Sequence, residues 1–464
     1  MRQLQGATRF HRRAIKVDEA IRLVIEASEP GRRETVPLWQ AGGRRLAEPL
    51  AATTDWPPFA RACMDGYAVR SADTALASPE SPAELRVAGT VAAGELPAAD
   101  VEAGTAVRIM TGAAVPAGAD AVVMLEQTAD ALRDGRPAVR VNRAAEPGQN
   151  IAQRGEEFRR GSLVAGPGTP IRPGHAALLG TFGYADVPVF ARPRVAVLAT
   201  GAELQPVAAA LAPGGIRDSN SAMLAAMVEQ SGGTPLLLGS AADDPAAVSG
   251  IILQALQQAD LVVTTGGVSV GDYDVMAALL RGIRETGAFR PDWRPEESDG
   301  RPRGDDPADF GASPEAALRG GDNSRLLFDK IAIRPGSPTS AAVVDGRLLI
   351  ALSGSPGACF VGFELFVRPA LRRLQGASRE EAYPESTTAR LLSDYAKSSP
   401  HDRFVKTKLI DREGVLYADP LAFGKSSMMA SLPDADGLIR IPAGPGGAAR
   451  GSIVDVLLLP RSFV

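Results

Sequence analysis

The residues best able to do chemistry in this 464-residue chain lie in one run, Ala259 to Met276, which reads ADLVVTTGGVSVGDYDVM. Leu261 to Thr265 is short, apolar and β-branched, as a buried strand would be. Gly266 and Gly267 then let the backbone turn tightly and approach a ligand closely. Ser269, Gly271, Asp272 and Asp274 follow, ahead of an apolar-periodic helix over Val275 to Arg284. A glycine-rich turn between a strand and a helix N-terminus leaves unpaired N–H groups pointing outward, which suits anionic groups. The two aspartates would repel a phosphate unless a divalent cation lay between them, so the run points to a phosphate and Mg²⁺ site. A plain strand–turn–helix connection has the same spacing.

Such a turn needs a sheet to hold it. From Arg194, strand-like RVAVLATG is followed by helix-like SAMLAAMVEQSG, strand-like TPLLLGSA, helix-like PAAVSGIILQALQQA and strand-like DLVVTTGG. That alternation predicts a mostly parallel α/β sheet with ligands at the carboxyl ends of its strands. The LATG and TTGG turns both fall at such ends. Ahead of this region, residues 15 to 29 carry Ile15, Val17, Ala20, Ile21, Val24 and Ile25 at helical spacing. Residues 50 to 150 instead alternate short β-prone runs (ELRVAGTV, TAVRIMTG, DAVVMLEQ, PAVRVN) with Gly/Pro turns, predicting a small β-rich domain. After Gly376 short strands return (RFVKTKLID, GVLYADPLA, GLIRIPAG, SIVDVLLLP), predicting a closing β-barrel or sandwich. Arg192–Pro193 and the stretch 376–384 are the expected boundaries. Residues 289 to 325 are dense in Pro, Gly and charge, with six basic and nine acidic residues. They can bury little apolar surface, so a mobile surface loop is expected, with a lid or docking segment as the functional alternative.

Composition excludes several classes. The chain is too long for one ordinary core. A net charge of −4 gives no reason to expect nucleic acid. Cys63 and Cys359 are far apart in sequence, which rules out a disulfide framework or a cysteine-based zinc site and suits a reducing cytosol. His11, His175 and His401 form no metal-binding spacing. No secretory signal or apolar run long enough to span a membrane is present, so a cytoplasmic protein with no membrane partner is expected.

The TTGGVSVGDYD run resembles a motif of the molybdopterin molybdenumtransferases, the MoeA family, which includes the E domain of gephyrin. CMDGYAVR at 63–70, RIMTGAAVPAGADAVVMLEQ at 108–127, GQNIAQRGEEF at 148–158, LATGAEL at 198–204, RDSNSAML at 217–224 and KIAIRPGSP at 330–338 match in the family's order. The resemblance implies a multidomain α/β plus β fold. Its parts would be a linking domain from 1–50 and 151–192, a β-rich domain over 51–150, a three-layer α/β molybdopterin-binding domain over 193–376 and a C-terminal β-barrel over 377–464. It implies insertion of molybdenum from molybdate into adenylylated molybdopterin, with Mg²⁺ and release of AMP. As partners it implies a second copy of the chain, the molybdopterin adenylyltransferase and molybdoenzyme maturation proteins.

Molybdate, dithiolene and phosphates are all negative, so a site assembling them needs cations from side chains or a metal. By matching position, Asp65, Thr111, Glu157, Lys330 and Arg334 are the candidate catalytic residues. Cofactor binding falls to Thr200, Gly201, Asp218, Ser219, Asn220, Gly266, Gly267, Ser269, Gly271, Pro335, Gly336, Ser337, Ser353 and Gly354. Metal binding falls to Glu203, Asp243, Asp244 and Asp274. In the family the pocket forms between the β-rich domain of one subunit and the α/β domain of the other. Plainer roles compete: Asp243 could cap the helix starting near Pro245, Asp218 and Asn220 could be turn and cap residues, and Asp65 and Thr111 could simply precede turns.

The basic residues depart from the family. Its K-x-A-x-K-P-G-K-P pattern reads KIAIRPGSP here, with Arg334 and Ser337 each in place of a lysine. Its L-P-G-N-P pattern reads LSGSP, with Ser353 and Ser355; Ala202 stands where Asp is frequent, and Lys406 where arginine is usual. Two readings therefore stay open: an active transferase with a shifted anion site, or a non-catalytic paralogue that binds a pterin, nucleotide or oxyanion as carrier or scaffold. They differ in whether a substitute cation reaches Ser337, with the arginines of 289–325 as one source. A molybdopterin adenylyltransferase fits less well, since GGVS stands where that family has GGTG. A dinucleotide oxidoreductase lacks its strand–GxGxxG–helix motif.

Overall fold

The computed structural model describes residues 13–268, 274–289, 324–421 and 428–460. Ser269, Gly271 and Asp272 lie outside the described residues, as does 290–323 of the polar segment. The first helix is Val17–Ala27, with Val17, Ala20, Ile21, Val24 and Ile25 buried as their spacing requires. Ile15 is not part of it; it bridges in parallel to Ile331.

Chain segments on either side of the β-rich region pair with each other. Arg33–Pro37 runs antiparallel to Asp186–Phe190, and Leu50–Ala51 to Leu163–Ala165. Between them Gly66–Val69, Ala83–Val91, Thr105–Ile109, Ala121–Met124, Thr128–Arg133 and Arg136–Val141 form a six-stranded sheet.

The α/β sheet also has six strands, in the order Thr234–Ala241, Arg194–Thr200, Leu261–Thr265, Arg347–Leu352, Ser340–Val344 and Arg325–Phe328. The first four are parallel, Ser340–Val344 runs antiparallel to them, and Arg325–Phe328 pairs antiparallel to Ser340–Val344 and so returns to the first direction. Successive residues of a strand serve opposite cores, the mark of a sheet covered on both faces. Val195 and Val197 join the core with Val17–Ala27 and Asn220–Gln230; Ala196 and Leu198 join the one with Pro245–Gln258 and Val275–Thr286. The domain is thus three-layered.

One long helical stretch was not legible in the sequence. Pro356–Gly362 continues through a wider π-helical turn, Phe363–Val367, into Arg368–Leu374. Pro356 occupies the first helical position, where a missing N–H does least harm, whereas Pro369 follows the π-helical turn inside the stretch. Glu364 and Arg368 are buried in it and pair at 2.7 Å.

At the C-terminus, Asp402–Arg412 pairs with both Val415–Pro420 and Gly437–Ile441, and Ser386–Leu391 and Ile453–Leu458 complete the circuit. This is a closed five-stranded barrel. Ile333–Arg334, from the α/β domain, attaches to it as a sixth strand, parallel to Asp402–Arg412. Among the described residues no helix is long and apolar enough to cross a membrane.

Candidate functional site

Three parallel strands end together, at Thr200, Thr265 and Leu352. Gly201, Gly266–Gly267 and Ser353–Gly354 follow them, and these turns pack on one another. Gly266 has a φ of 99°, and a Cβ there would stand 2.2 Å from Thr200 O, so only glycine fits. Gly266 N–H donates to Leu352 O (3.1 Å). Asn220, at the start of its helix, ties the turns: its Nδ2 donates to Thr265 Oγ1 (2.8 Å) and Gly354 O (2.9 Å). Asn220 Oδ1 and Ser355 Oγ are buried without a protein partner, which marks places where a bound group could complete the hydrogen bonding.

A cleft of about 720 Å³ adjoins these turns through Ser353 and runs between the α/β domain and the barrel. Arg334, Pro335, Gly336 and Ser337 line one side; Tyr395, Lys397, Arg403, Lys406 and Met428 line the other. Among the described lining residues four are cationic and none is acidic. Lys406 Nζ donates to Met428 O (2.7 Å), and partial burial holds its ammonium below the ordinary lysine pKa. Ser337 Oγ instead donates to Ile331 O (2.7 Å), inside its own loop. Lys330 is half-buried next to that loop and does not line the cleft.

The candidate carboxylates have mixed surroundings. Asp244 caps Pro245–Gln258, accepting from Ala246 N (3.0 Å). Asp218 does similar work at the next helix up the chain, accepting from Ser221 N (3.0 Å), while Ser219 makes no side-chain cap bond there. Asp243 accepts from Ala202 N (3.3 Å), and the Glu203 carboxylate lies over Gly201, so both border one exposed turn. Asp274 precedes Val275–Thr286 at the cap position without a side-chain cap bond. Among the described residues no three of His, Cys, Asp and Glu gather into a metal-holding group.

The β-rich domain and the segment that follows it bring another set together. Thr111 donates to Asp65 Oδ1 from its backbone N (2.7 Å) and its hydroxyl (2.6 Å), and these bonds hold the Asp65 carboxyl below the usual carboxylate range. Glu157 pairs with Arg61 at 3.6 Å, and Arg61 lies over the Trp56 ring. Phe59 and Met64 are exposed on the same segment, at 45% and 46%. The cleft beside Arg334 includes none of Asp65, Thr111 and Glu157.

Both cysteines are free. Cys359 is fully buried and its thiol is pushed up to about 12 by desolvation, so it is no nucleophile. Sequence reasoning missed Lys397 and Arg403 as cleft residues. Their only sequence signal was basic character near the start of a barrel strand.

A three-layer α/β domain with glycine turns at its strand ends, beside a cationic wall, is an arrangement suited to phosphorylated or otherwise anionic ligands. Three family profiles match in order: the MoeA N-terminal region (domain I and II) over residues 15–183, a probable molybdopterin binding domain over 196–291, and the MoeA C-terminal region (domain IV) over 388–459. The molybdopterin molybdenumtransferase of Bacillus subtilis (strain 168) is 38% identical over 97% of this chain and 95% of its own length. That of Staphylococcus aureus (strain COL) is 35% identical over 96% of each. The molybdopterin biosynthesis moeA protein of Pyrococcus horikoshii OT3 superposes with a TM-score of 0.74 at 30% identity, covering 96% of this chain and all of that one. The chain belongs to the molybdopterin molybdenumtransferase family.

Proposed function

We propose that this chain transfers molybdenum from molybdate to adenylylated molybdopterin and releases AMP, as a cytoplasmic homodimer. The observation that carries this reading is the cationic cleft, with no carboxylate among its described lining residues, that opens beside the strand-end glycine turns. Every reactant is an anion, and preorganised cations offset the repulsion of bringing them together. Arg334 and Lys406 would hold oxyanion groups, and the turn N–H groups with Asn220 would hold the polar edge of the pterin-bearing ligand. The two unpaired thiols suit a reducing compartment.

Glu203 and Asp243 border one exposed turn, which suits Mg²⁺; that ion typically takes one or two protein carboxylates and completes its shell with water and substrate phosphate. Asp274 would serve from the neighbouring turn. When bound, Mg²⁺ would neutralise phosphate charge. Asp65, Thr111 and Glu157 lie beside exposed Phe59 and Met64, an arrangement suited to covering a partner subunit's cleft. The adenylyltransferase and molybdoenzyme maturation proteins are the expected donor and recipient of the cofactor.

Incubation with adenylylated molybdopterin, molybdate and Mg²⁺ tests the reading. Molybdate-dependent AMP release is expected. Ligand binding without AMP release would overturn it in favour of a carrier.

A further inference from the structure

A second cavity, of about 730 Å³, opens at the other end of the helices that leave the strand-end turns. Asn220–Gln230 starts at those turns and runs to this cavity, which Gln230, Ser231 and Gly232 line. The long helical stretch likewise starts just after Gly354 and brings Arg368 and Arg372 to it. An 11-residue helix is about 16 Å long, so the cavity is separate from the cleft beside Arg334. The linking domain closes it with Arg44, Arg45 and Arg192, and its volume suits a small molecule.

Its charges are layered. Arg44, Arg45 and Arg372 pair with Glu34, Glu381 and Glu385. In each pair the arginine is the less exposed partner, at 11% against 44%, 19% against 48% and 25% against 70%. One turn before Arg372, Arg368 is buried, held by the buried Glu364, and donates to Ser231 Oγ (2.6 Å). The cavity thus has a basic floor, while its acids, Glu229, Glu380, Glu381 and Glu385, are all exposed. Arg45 and Arg372 meet at one residue: Arg45 Nη1 donates to Glu381 Oε2 (2.7 Å), and Arg372 Nη1 reaches Glu381 O (3.5 Å). Burial, with Arg368 nearby, holds the Arg372 guanidinium below the ordinary arginine value, so its exposed partner offsets its charge only in part. Arg192 is exposed and forms no ion pair with a described residue.

Such pairs are weak, because water screens them and readily solvates a freed carboxylate. A phosphate dianion touching two partly buried guanidinium forks makes more, and better directed, charge-assisted bonds. Phe190 and Tyr383 line the same cavity and offer an apolar wall to the rest of such a ligand. We propose that this cavity is a second ligand site, for a small phosphate monoester whose phosphate displaces the Glu381 and Glu385 carboxylates from Arg45 and Arg372. The site does not depend on the transferase reading.

The test uses the full-length protein and measures equilibrium binding of uridine monophosphate and, separately, of inorganic phosphate. Hydrogen exchange over residues 368–385 locates the bound anion, and protection there is expected. Arg372→Gln should weaken binding about tenfold or more, the loss of one charge-assisted contact. Arg372 also donates to Tyr383 O (2.8 Å), so its loss could disturb the fold. Arg192→Gln, at an exposed residue, is therefore the second variant, and it should weaken binding severalfold with an unchanged melting temperature. Glu385→Gln removes the competing carboxylate and should tighten binding severalfold, an effect that a merely structural ion pair would not produce. Unchanged or weaker binding in Glu385→Gln would overturn the displacement. Unchanged affinity in both arginine variants, or no protection over 368–385, would overturn the site. So would binding lost in Arg334→Gln but kept in Arg372→Gln, which would assign the anion to the cleft. The monophosphate should bind more tightly than inorganic phosphate, and equal affinities would overturn the monoester assignment.

Discussion

The two surfaces assigned to chemistry are built in opposite ways. The cleft between the α/β domain and the barrel is cationic, and strand pairing between the domains brings Arg334 beside the barrel segment that carries Lys397, Arg403 and Lys406. The surface around Asp65 is exposed, and its carboxylates are held by local contacts, Thr111 donating to Asp65 and Arg61 pairing with Glu157. Preorganised cations that repel one another must be held by a frame, here the Asp18–Arg440–Asp402 network and a buried helical layer. An exposed carboxylate needs only a neighbouring donor to stay ionised. Placing the two surfaces on opposite subunits of the proposed dimer would keep them from neutralising each other within one chain before substrate arrives.

The comparison can be broken first at the frame. Glu364 and Arg368 form a buried pair in the helical layer of the α/β domain. Glu364→Gln should cost about 3–5 kcal/mol by leaving a buried charge uncompensated. Urea unfolding measures this, and a loss below about 1 kcal/mol would show that the layer tolerates the change by admitting water.

The division between subunits gives the next largest effect. Arg334→Gln and Asp65→Ala homodimers should each release AMP at about one hundredth of the wild-type rate or less. Mixed at random, about half the dimers are heterodimers, and one pocket in each carries neither lesion. About a quarter of wild-type activity should therefore return. No recovery, with heterodimers verified by differential tags, would place the two surfaces in unconnected roles.

Smaller effects separate structural from functional carboxylates. Asp244→Ala should lower stability by about 1 kcal/mol through loss of a helix cap, while molybdate-dependent turnover is kept. Lost turnover with unchanged stability would return Asp244 to the metal site. On the exposed surface around Asp65, Thr111→Val removes one of the two donors that depress the Asp65 carboxyl. Its pKa should rise toward the ordinary carboxylate value, as read by a carboxyl-carbon NMR titration. The native group is depressed, so its contribution to stability is present above the unfolded pKa and is lost as pH falls through the folded one. The variant should lose part of that acid-side dependence. An unmoved Asp65 titration would mean that the backbone N–H alone sets it.

Much of the architecture was legible because it is locally encoded. Alternating strand and helix periods marked Arg194–Thr200 through Val275–Thr286, and short β-prone runs marked the β-rich domain and four barrel strands. The helical stretch from Pro356 to Leu374 was not legible, because prolines, glycines and a buried ion pair interrupt its apolar period. Asp218 shows the same division at a site residue. Its cap or ligand roles were indistinguishable from spacing, and the helix that begins beside it puts Ser221 N–H within reach.

What the sequence determined by itself was most of the strands and helices and the tight turns that favour glycine, since strand period, helix period and φ preference act over a few residues. Gly266 combines both levels: its φ of 99° is a local turn requirement, while the close approach of Thr200 O comes from the neighbouring strand. Only the tertiary structure decided that the barrel closes through Asp402–Arg412, that Arg334 stands beside Arg403, and that Ser337 turns inward to Ile331. Those outcomes depend on the register between segments far apart in the chain, and register is set by packing and hydrogen-bond closure across domains rather than by any local preference.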